Sequence, residues 1–473
     1  MTHPELATAP AAAPRVRLSE SAVQRLRAAV RGELIEPEHA AYEEARQVYN
    51  AMHDRRPALI VHAAGVADIL AVVRFAAEQG LALAVRGGGH SVPGFGTCDG
   101  GVVLDLRRLR GIRVDPARRR VRAEGGCTWG ELDHATNAFG LATTGGVVST
   151  TGIAGLTLGG GMGYLSRRCG LSCDNLVSAD VVTADGRFVT CSETREEDLF
   201  WALRGGGGNF GVVTSFEYRL HQVGDIYGGA IFFPVEGDIL RSFQDRIAGA
   251  PRKLGAVFAF TKAAPLPFLP AEWHGKPVCA VIACWSGAIE RGEKAVAPLR
   301  RLGPVAGAFI DRMPYPQINT LFDELLPAGL RQYWKGNFVR RLTDEAIAAH
   351  VDHAARTPTI ESGTFLVPID GACHAVAPEA TAFATRDARF STVIAGAWPD
   401  RADDEANVRW VREYWAALRP HSEEGGYVNF MSADDQDRVE SNYGGHYQRL
   451  VAIKSRYDPA NLFRVNHNIR PLA

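Results

Sequence analysis

The sequence predicts an α+β protein in which a glycine-dense amino-terminal region precedes a mixed region of sheet and helix. Strand-like and helix-like runs alternate tightly between residues 57 and 106, the pattern of α/β units. Glycine runs of three or four residues interrupt the chain between 86 and 211. At about residue 226 glycine thins out and long apolar strand-like runs begin.

Each element follows from local pattern. The start, MTHPELATAPAAAPRV, is Ala/Pro-rich and reads as a disordered leader over 1–17. LSESAVQRLRAAVRGEL (18–34) has helical periodicity behind a serine-rich start. PALIVHA (57–63), LALAVR (81–86) and GVVLDL (101–106) read as strands, with VADILAVVRFAAEQG (66–80) as the helix between the first two. VRAEGGCTWGELDHATNAFG (121–140) reads as strand then helix. NLVSADVVTADGR (175–187) reads as strand, turn and strand, with Asp185-Gly186 at the turn. TREEDLFWALRGGGGNFGVVTSFEYRL (194–220) gives a helix, a four-glycine loop and a strand. Beyond 226, YGGAIFFPV (227–235), KPVCAVIACW (276–285) and FSTVIAGAW (390–398) are strand-like, and TDEAIAAHVDHAAR (343–356) is helical. The expected division is a leader (1–17), a first domain (18–225), a second domain (226–415) and a carboxy-terminal return segment (416–473).

Composition excludes several functions. Hydrophobic residues make up 46% and charged residues 22% of the 473, and the formal net charge is −1, so no global field favours nucleic acid or an anionic membrane. No apolar run approaches the ~20 residues of a membrane helix, and the start does not read as a signal peptide, which makes the cytoplasm the expected location. The eight cysteines are scattered without a CxxC, and Cys169 and Cys173 lack a second ligand pair at zinc spacing, so no metal is expected.

The glycine loops are the informative feature. Gly206, Gly208 and Gly211 match GxGxxG, but a strand follows them rather than a helix, so a dinucleotide-binding Rossmann unit is rejected. No P-loop is present. Runs of three or four glycines lose more backbone entropy than a turn requires, and a long ligand gripped at several points by bare amides accounts for all of them. RGGGHS (86–91) lies behind a buried strand, a usual place for a ligand loop.

RGGGHS, the GxxGxxxGGGxG run at 152–163, DNLVSADVVTADGR, LFWALRGGGGNFGVVT and the closing YDPANLFRVNHNI together resemble the berberine-bridge-enzyme-like branch of FAD-linked oxidases, from about residue 54 onward. The resemblance implies the vanillyl-alcohol-oxidase (PCMH-type) fold: an FAD domain of two α/β subdomains and an α+β substrate domain with a mixed or antiparallel sheet. It implies FAD attached covalently through His90. It also implies that Arg86, Gly87, Gly88, Gly89, Ser91, Val148, Ser149, Thr150, Thr151, Gly152, Gly155, Thr157, Gly159, Gly160, Gly161, Asn209, Val213, Asn466 and Asn468 line the cofactor. Val148 and Leu156 stand where doubly tethered members carry a cysteine and a histidine, so a single linkage is expected.

The family's catalytic positions are altered. Ala375, beside His374, falls where plant members place a glutamate, and Phe430 replaces the tyrosine of their N-Y-x-D motif. Lys335, Tyr427 and His374 remain as candidates to deprotonate a substrate. The expected activity is hydride transfer from an alcohol or amine carbon of a small organic molecule to flavin N5, with dioxygen as final acceptor, in a monomer or homodimer. A flavin-holding protein that sequesters a redox-active drug with little turnover is the alternative.

Overall fold

A computed structural model describes residues 18–472; the leader expected at 1–17 lies outside the described residues. The alternation after residue 57 builds a small sheet in the order Glu33–Ile35, Leu59–His62, Val102–Asp105, Leu83–Arg86, its last three strands parallel. Parallel strands need a crossover, supplied between the first two in sequence by the helix Val66–Glu78. Ile69, Val72, Val73 and Ala76 recur on one face of that helix at helical spacing and pack, fully buried, against Leu59, Val61, Val102 and Leu104.

A second, antiparallel sheet follows in the order Ile112–Asp115, Arg120–Glu124, Val212–Arg219, Leu176–Val182, Phe188–Ser192. The Asp185-Gly186 turn joins its last two strands, with Gly186 at φ 72°. The helix Trp129–Asn137 starts on a capping box in which Thr128 and Glu131 satisfy each other's backbone donors. Trp129, Phe200, Phe210, Phe216 and Tyr218 form the centre of this core.

The region beyond 224 folds as one seven-stranded sheet, antiparallel throughout: Gly307–Pro314, Asp225–Pro234, Pro277–Trp285, Leu254–Lys262, Gly363–Pro368, Phe390–Trp398, Arg331–Val339. One face carries the helices Gly237–Ala248, Gly292–Arg300 and Asp344–Ala354 over a core of Phe233, Phe243, Phe258 and Val281. The other face, with Phe232, Val257 and Ile282, packs on Met162, Tyr164 and Leu165 of the glycine-rich region. The site lies where these layers meet.

The chain then returns. Helix Tyr447–Tyr457 packs against Glu197–Leu203, and the segment after it runs back to the four-glycine loop. Lys454 fixes that return: its fully buried ammonium donates to the Asn209 carbonyl at 2.9 Å, to Asp458 at 2.6 Å and to the Phe463 carbonyl at 3.1 Å. Among the described residues no helix is long and apolar enough to cross a membrane.

Candidate active site

Two glycine loops cross at the junction. A Cβ on Gly88 would fall 2.5 Å from both the Cα and the nitrogen of Gly152, and one on Gly152 would fall 2.4 Å from the Gly88 nitrogen. Those contacts are backbone to backbone, so only glycine fits at either position. The amides of Gly88, Gly89 and His90 donate to no acceptor among the described residues, leaving a row of bare N–H groups behind the strand Leu83–Arg86.

His90 stands at the end of this row, half-buried. Tyr49 stacks on its ring with centroids 3.7 Å apart and planes 21° from parallel. Its Nε2 lies 2.9 Å from the Thr150 hydroxyl, while Nδ1 is 3.5 Å from that of Thr151. Burial pushes the imidazole down to about 4, so it is neutral near pH 7 and keeps a nucleophilic lone pair.

The other loop residues divide by task. Arg86 is buried, and its guanidinium donates to the Gly96, Ala45 and Arg46 carbonyls and to Asp105; it shapes the loop from behind. The Ser91 hydroxyl accepts from the Phe95 amide, Thr157 pairs with the Tyr218 hydroxyl at 2.8 Å, and Gly87 packs against the Gly125 carbonyl. Ser149 donates from both backbone and side chain to Asp323. Val148 is half-buried beside it, Val213 is buried in the central strand of the second sheet, and Gly155 opens onto free space. Gly159, Gly160 and Gly161 lie against Asn429, Phe383 and Ser172, and a Cβ on each would approach those side chains to 2.3, 2.8 and 2.2 Å.

The return segment completes the site. The Asn209 side chain donates to the Gly206 and His467 carbonyls and accepts from the Ile469 amide, and Asn466 donates to the Gly208 carbonyl. The Oδ1 atoms of Asn466 and Asn468 are buried without a partner.

Two of the three candidate bases, Lys335 and Tyr427, are engaged in structural contacts, and the third, His374, is exposed. Alternation along Arg331–Val339 sends Trp334 to the side of Phe430, with rings 6.1 Å apart, and Lys335 to the opposite side, against Tyr333 and Trp415. There the Lys335 side chain is held by two carboxylates, donating to Asp434 at 2.9 Å and to Asp435 at 2.6 Å. The Tyr427 hydroxyl is buried, accepts from the Gly161 amide and from Asn429 at 2.8 Å each, and is raised well above its ordinary range by burial. His374 is exposed and turned to the Ala388 carbonyl.

Several residues of the site carried no signal in the sequence alone. Tyr49 sits in an unremarked segment whose neighbour Asn50 ties the Val92 carbonyl to both backbone groups of Gln332. Asp323 lies in a loop of ordinary composition. Lys454 follows a helical pattern in which a lysine is usually solvated.

The residues present fit FAD. Bare amides suit a diphosphate, glycine contacts admit a ligand that follows the backbone, and the unpartnered oxygens of Asn466 and Asn468 offer acceptors to a ring with N–H groups.

Comparison with known proteins agrees. Residues 57–192 match the family model described as FAD binding domain, and residues 426–470 the one described as berberine and berberine like. An FAD-linked oxidoreductase of Dictyostelium discoideum is 33% identical over 418 residues, covering 88% of this chain and 89% of that protein. The (R)-6-hydroxynicotine oxidase of Paenarthrobacter nicotinovorans is 32% identical over 453 residues, covering 93% and 97%. The crystal structure of 6-hydroxy-D-nicotine oxidase from Arthrobacter nicotinovorans superposes with a TM-score of 0.83 at 28% identity, over 94% of this chain and 98% of that one.

Fold and site thus define an FAD-binding oxidoreductase of the vanillyl-alcohol-oxidase, PCMH-type architecture. Within that class the chain belongs to the berberine-bridge-enzyme-like family of FAD-linked oxidoreductases.

Proposed function

We propose that the protein is an FAD-dependent oxidase that removes a hydride from the carbon beside nitrogen in a small, flat organic amine, with alcohol carbons as the second substrate class. The cofactor is tethered through His90 alone, since Val148 cannot form a thioether. FAD, when bound, supplies the two-electron acceptor at N5 and passes the pair to dioxygen to give hydrogen peroxide.

The observation that carries the tether is the neutral imidazole of His90, caged by Tyr49, Thr150 and Thr151 at the end of the bare amides. The preference for amines rests on the surroundings of Lys335, Tyr427 and His374. An alcohol must lose its hydroxyl proton as the hydride leaves, whereas a neutral amine already carries the lone pair that drives hydride loss. Lys335 and Tyr427 are bound up in structure, and His374 faces a carbonyl on the surface. The kinship with a hydroxynicotine oxidase supports the same class. Trp334 and Phe430 offer aromatic walls to a planar substrate. A cytoplasmic monomer or homodimer is part of the same proposal.

Two measurements test this reading. Acid precipitation of purified protein is expected to leave the yellow colour in the pellet, and a supernatant holding all the flavin refutes the tether. Peroxide release across amines, alcohols and hydroquinones is expected to be highest for amines. Tight binding without peroxide from any of them identifies a sequestering protein instead.

A further inference from the structure

The cage around His90 is closed from outside the glycine-rich region. Residues 319–330 join the short helix Tyr315–Ile318 to the edge strand Arg331–Val339 of the large sheet, and they cross the site as a strap. At its root, the Asn319 amide donates to the buried Asp133 at 2.7 Å. In the middle, Asp323 accepts from the Ser149 amide at 3.0 Å and from the Ser149 hydroxyl at 2.5 Å. Further on, the Leu326 carbonyl accepts from the Tyr49 hydroxyl, the Gly329 amide donates to the Tyr49 carbonyl at 3.0 Å, and the Leu330 carbonyl accepts from the Ala51 amide at 3.0 Å. The strap therefore holds both walls of the cage: Tyr49 on the ring face, and the 149–151 turn that carries the two threonines.

We infer that Asp323 is a positioning residue for cofactor attachment, acting through Ser149 to hold Thr150 and Thr151 against the imidazole of His90. The inference rests on the covalent reading above. Thr150 engages Nε2 at 2.9 Å and leaves Nδ1, with only the 3.5 Å contact to Thr151, as the nitrogen free to bond. Attachment forms one bond, from Nδ1 to the 8α carbon, and breaks one imidazole N–H and one methyl C–H. The Nε2 proton leaves by way of the exposed Thr150 hydroxyl. The two hydrogens depart as protons, and the electron pair given up passes to dioxygen, which becomes hydrogen peroxide. A carboxylate suits Asp323's place because hydrogen bonds to an ionised acceptor are about twice as strong as neutral ones. Two of them on adjacent donors of one residue fix the turn in orientation as well as position.

The test uses the full chain expressed under flavin limitation and then supplied with FAD, with acid-stable flavin followed in the pellet over time. Asp323→Ala is expected to slow accumulation by roughly tenfold, in keeping with the loss of charge-assisted bonds, while total bound FAD stays at the wild-type level. Asp323→Asn, which keeps one acceptor, is expected to fall between. Glu324→Ala, on the same strap and exposed, should match wild type. Thr150→Val should show the same slowing without touching the strap. It covers the case in which Asp323→Ala fails to fold. An Asp323→Ala chain that accumulates acid-stable flavin at the wild-type rate overturns the inference, as does, where that variant does not fold, an unaltered rate in Thr150→Val. A wild-type pellet that stays colourless while FAD is bound refutes the tether itself, a different result.

Discussion

Replacing Lys335 by methionine separates a structural lysine from a catalytic one. The ammonium is 7% exposed and lies between Asp434 and Asp435, whose side chains are 42% and 2% exposed. Removing one partner of a buried ion pair costs about 3–5 kcal/mol, because the other is left uncompensated. Asp435 keeps the Ser432 amide and the Arg438 guanidinium at 3.2 Å, and Asp434 is partly screened by water, which points to the lower end, about 3 kcal/mol. Burial pushes Asp434 up, but the Lys335 charge and the hydrogen bonds from Lys335, Tyr333 and Arg412 outweigh it and hold the carboxyl below its usual range. That contribution is present above the unfolded-state pKa and is lost as pH falls through the lower folded value, so the variant's deficit should be full at neutral pH and shrink in acid. Denaturant unfolding at several pH values reads both effects. Turnover, normalised to folded protein, should keep its pH profile. A loss of ~10²–10⁴-fold in turnover with one limb of that profile erased, and no change in stability, refutes the reasoning and makes Lys335 the base.

Three further outcomes follow from the geometry. Gly88→Ala places a methyl 2.5 Å from the Gly152 backbone and should cost at least ~1–3 kcal/mol of stability and yield colourless protein, checked by thermal unfolding and by flavin absorbance. Tyr427→Phe leaves the Gly161 amide without its acceptor and should cost about 1–3 kcal/mol and weaken FAD retention, measured by calorimetry and by titration of flavin into the deflavinated chain. Asp133 is raised to about 7 by burial, against a smaller lowering by the Asn319 hydrogen bond. Its contribution to stability is fully present below the unfolded-state pKa and is lost between about pH 4 and 7, a slope that Asp133→Asn should flatten in denaturant titrations.

Much of the fold was legible because local pattern and global packing agree. The helix read at 66–80 runs Val66–Glu78, and the strands read at 57–63, 81–86 and 101–106 are Leu59–His62, Leu83–Arg86 and Val102–Asp105, since each has an apolar face matched to its period. The first strand and the turn read within 175–187 were equally readable, with glycine at the positive φ the turn requires, but the second strand lies just beyond, at Phe188–Ser192. The order of the seven strands was not, because it depends on pairings such as Tyr227 with Trp285 and Gly363 with Ala395 that leave no mark along the chain. The motifs gave the glycine loops and His90, but not Tyr49, Asp323 or Lys454. Those reach the site through single contacts across large sequence separations, and an isolated tyrosine, aspartate or lysine has the same appearance wherever it sits. The surroundings of Lys335 were hidden for a related reason. Composition showed a lysine between aromatic residues, and only strand alternation and the two aspartates about a hundred positions later decide which way it faces.

The anchoring of the four-glycine loop by the end of the chain sets an order on assembly. Asn209 needs the backbone of residues 467 and 469, and Lys454 needs the Asn209 carbonyl, so contacts spanning about 250 positions must close before that loop takes its shape. Such distant closures come late in folding. A chain stopped ahead of residue 454 lacks every one of these anchors, and the expected outcome is a fragment that retains no FAD, read from its flavin absorbance after purification.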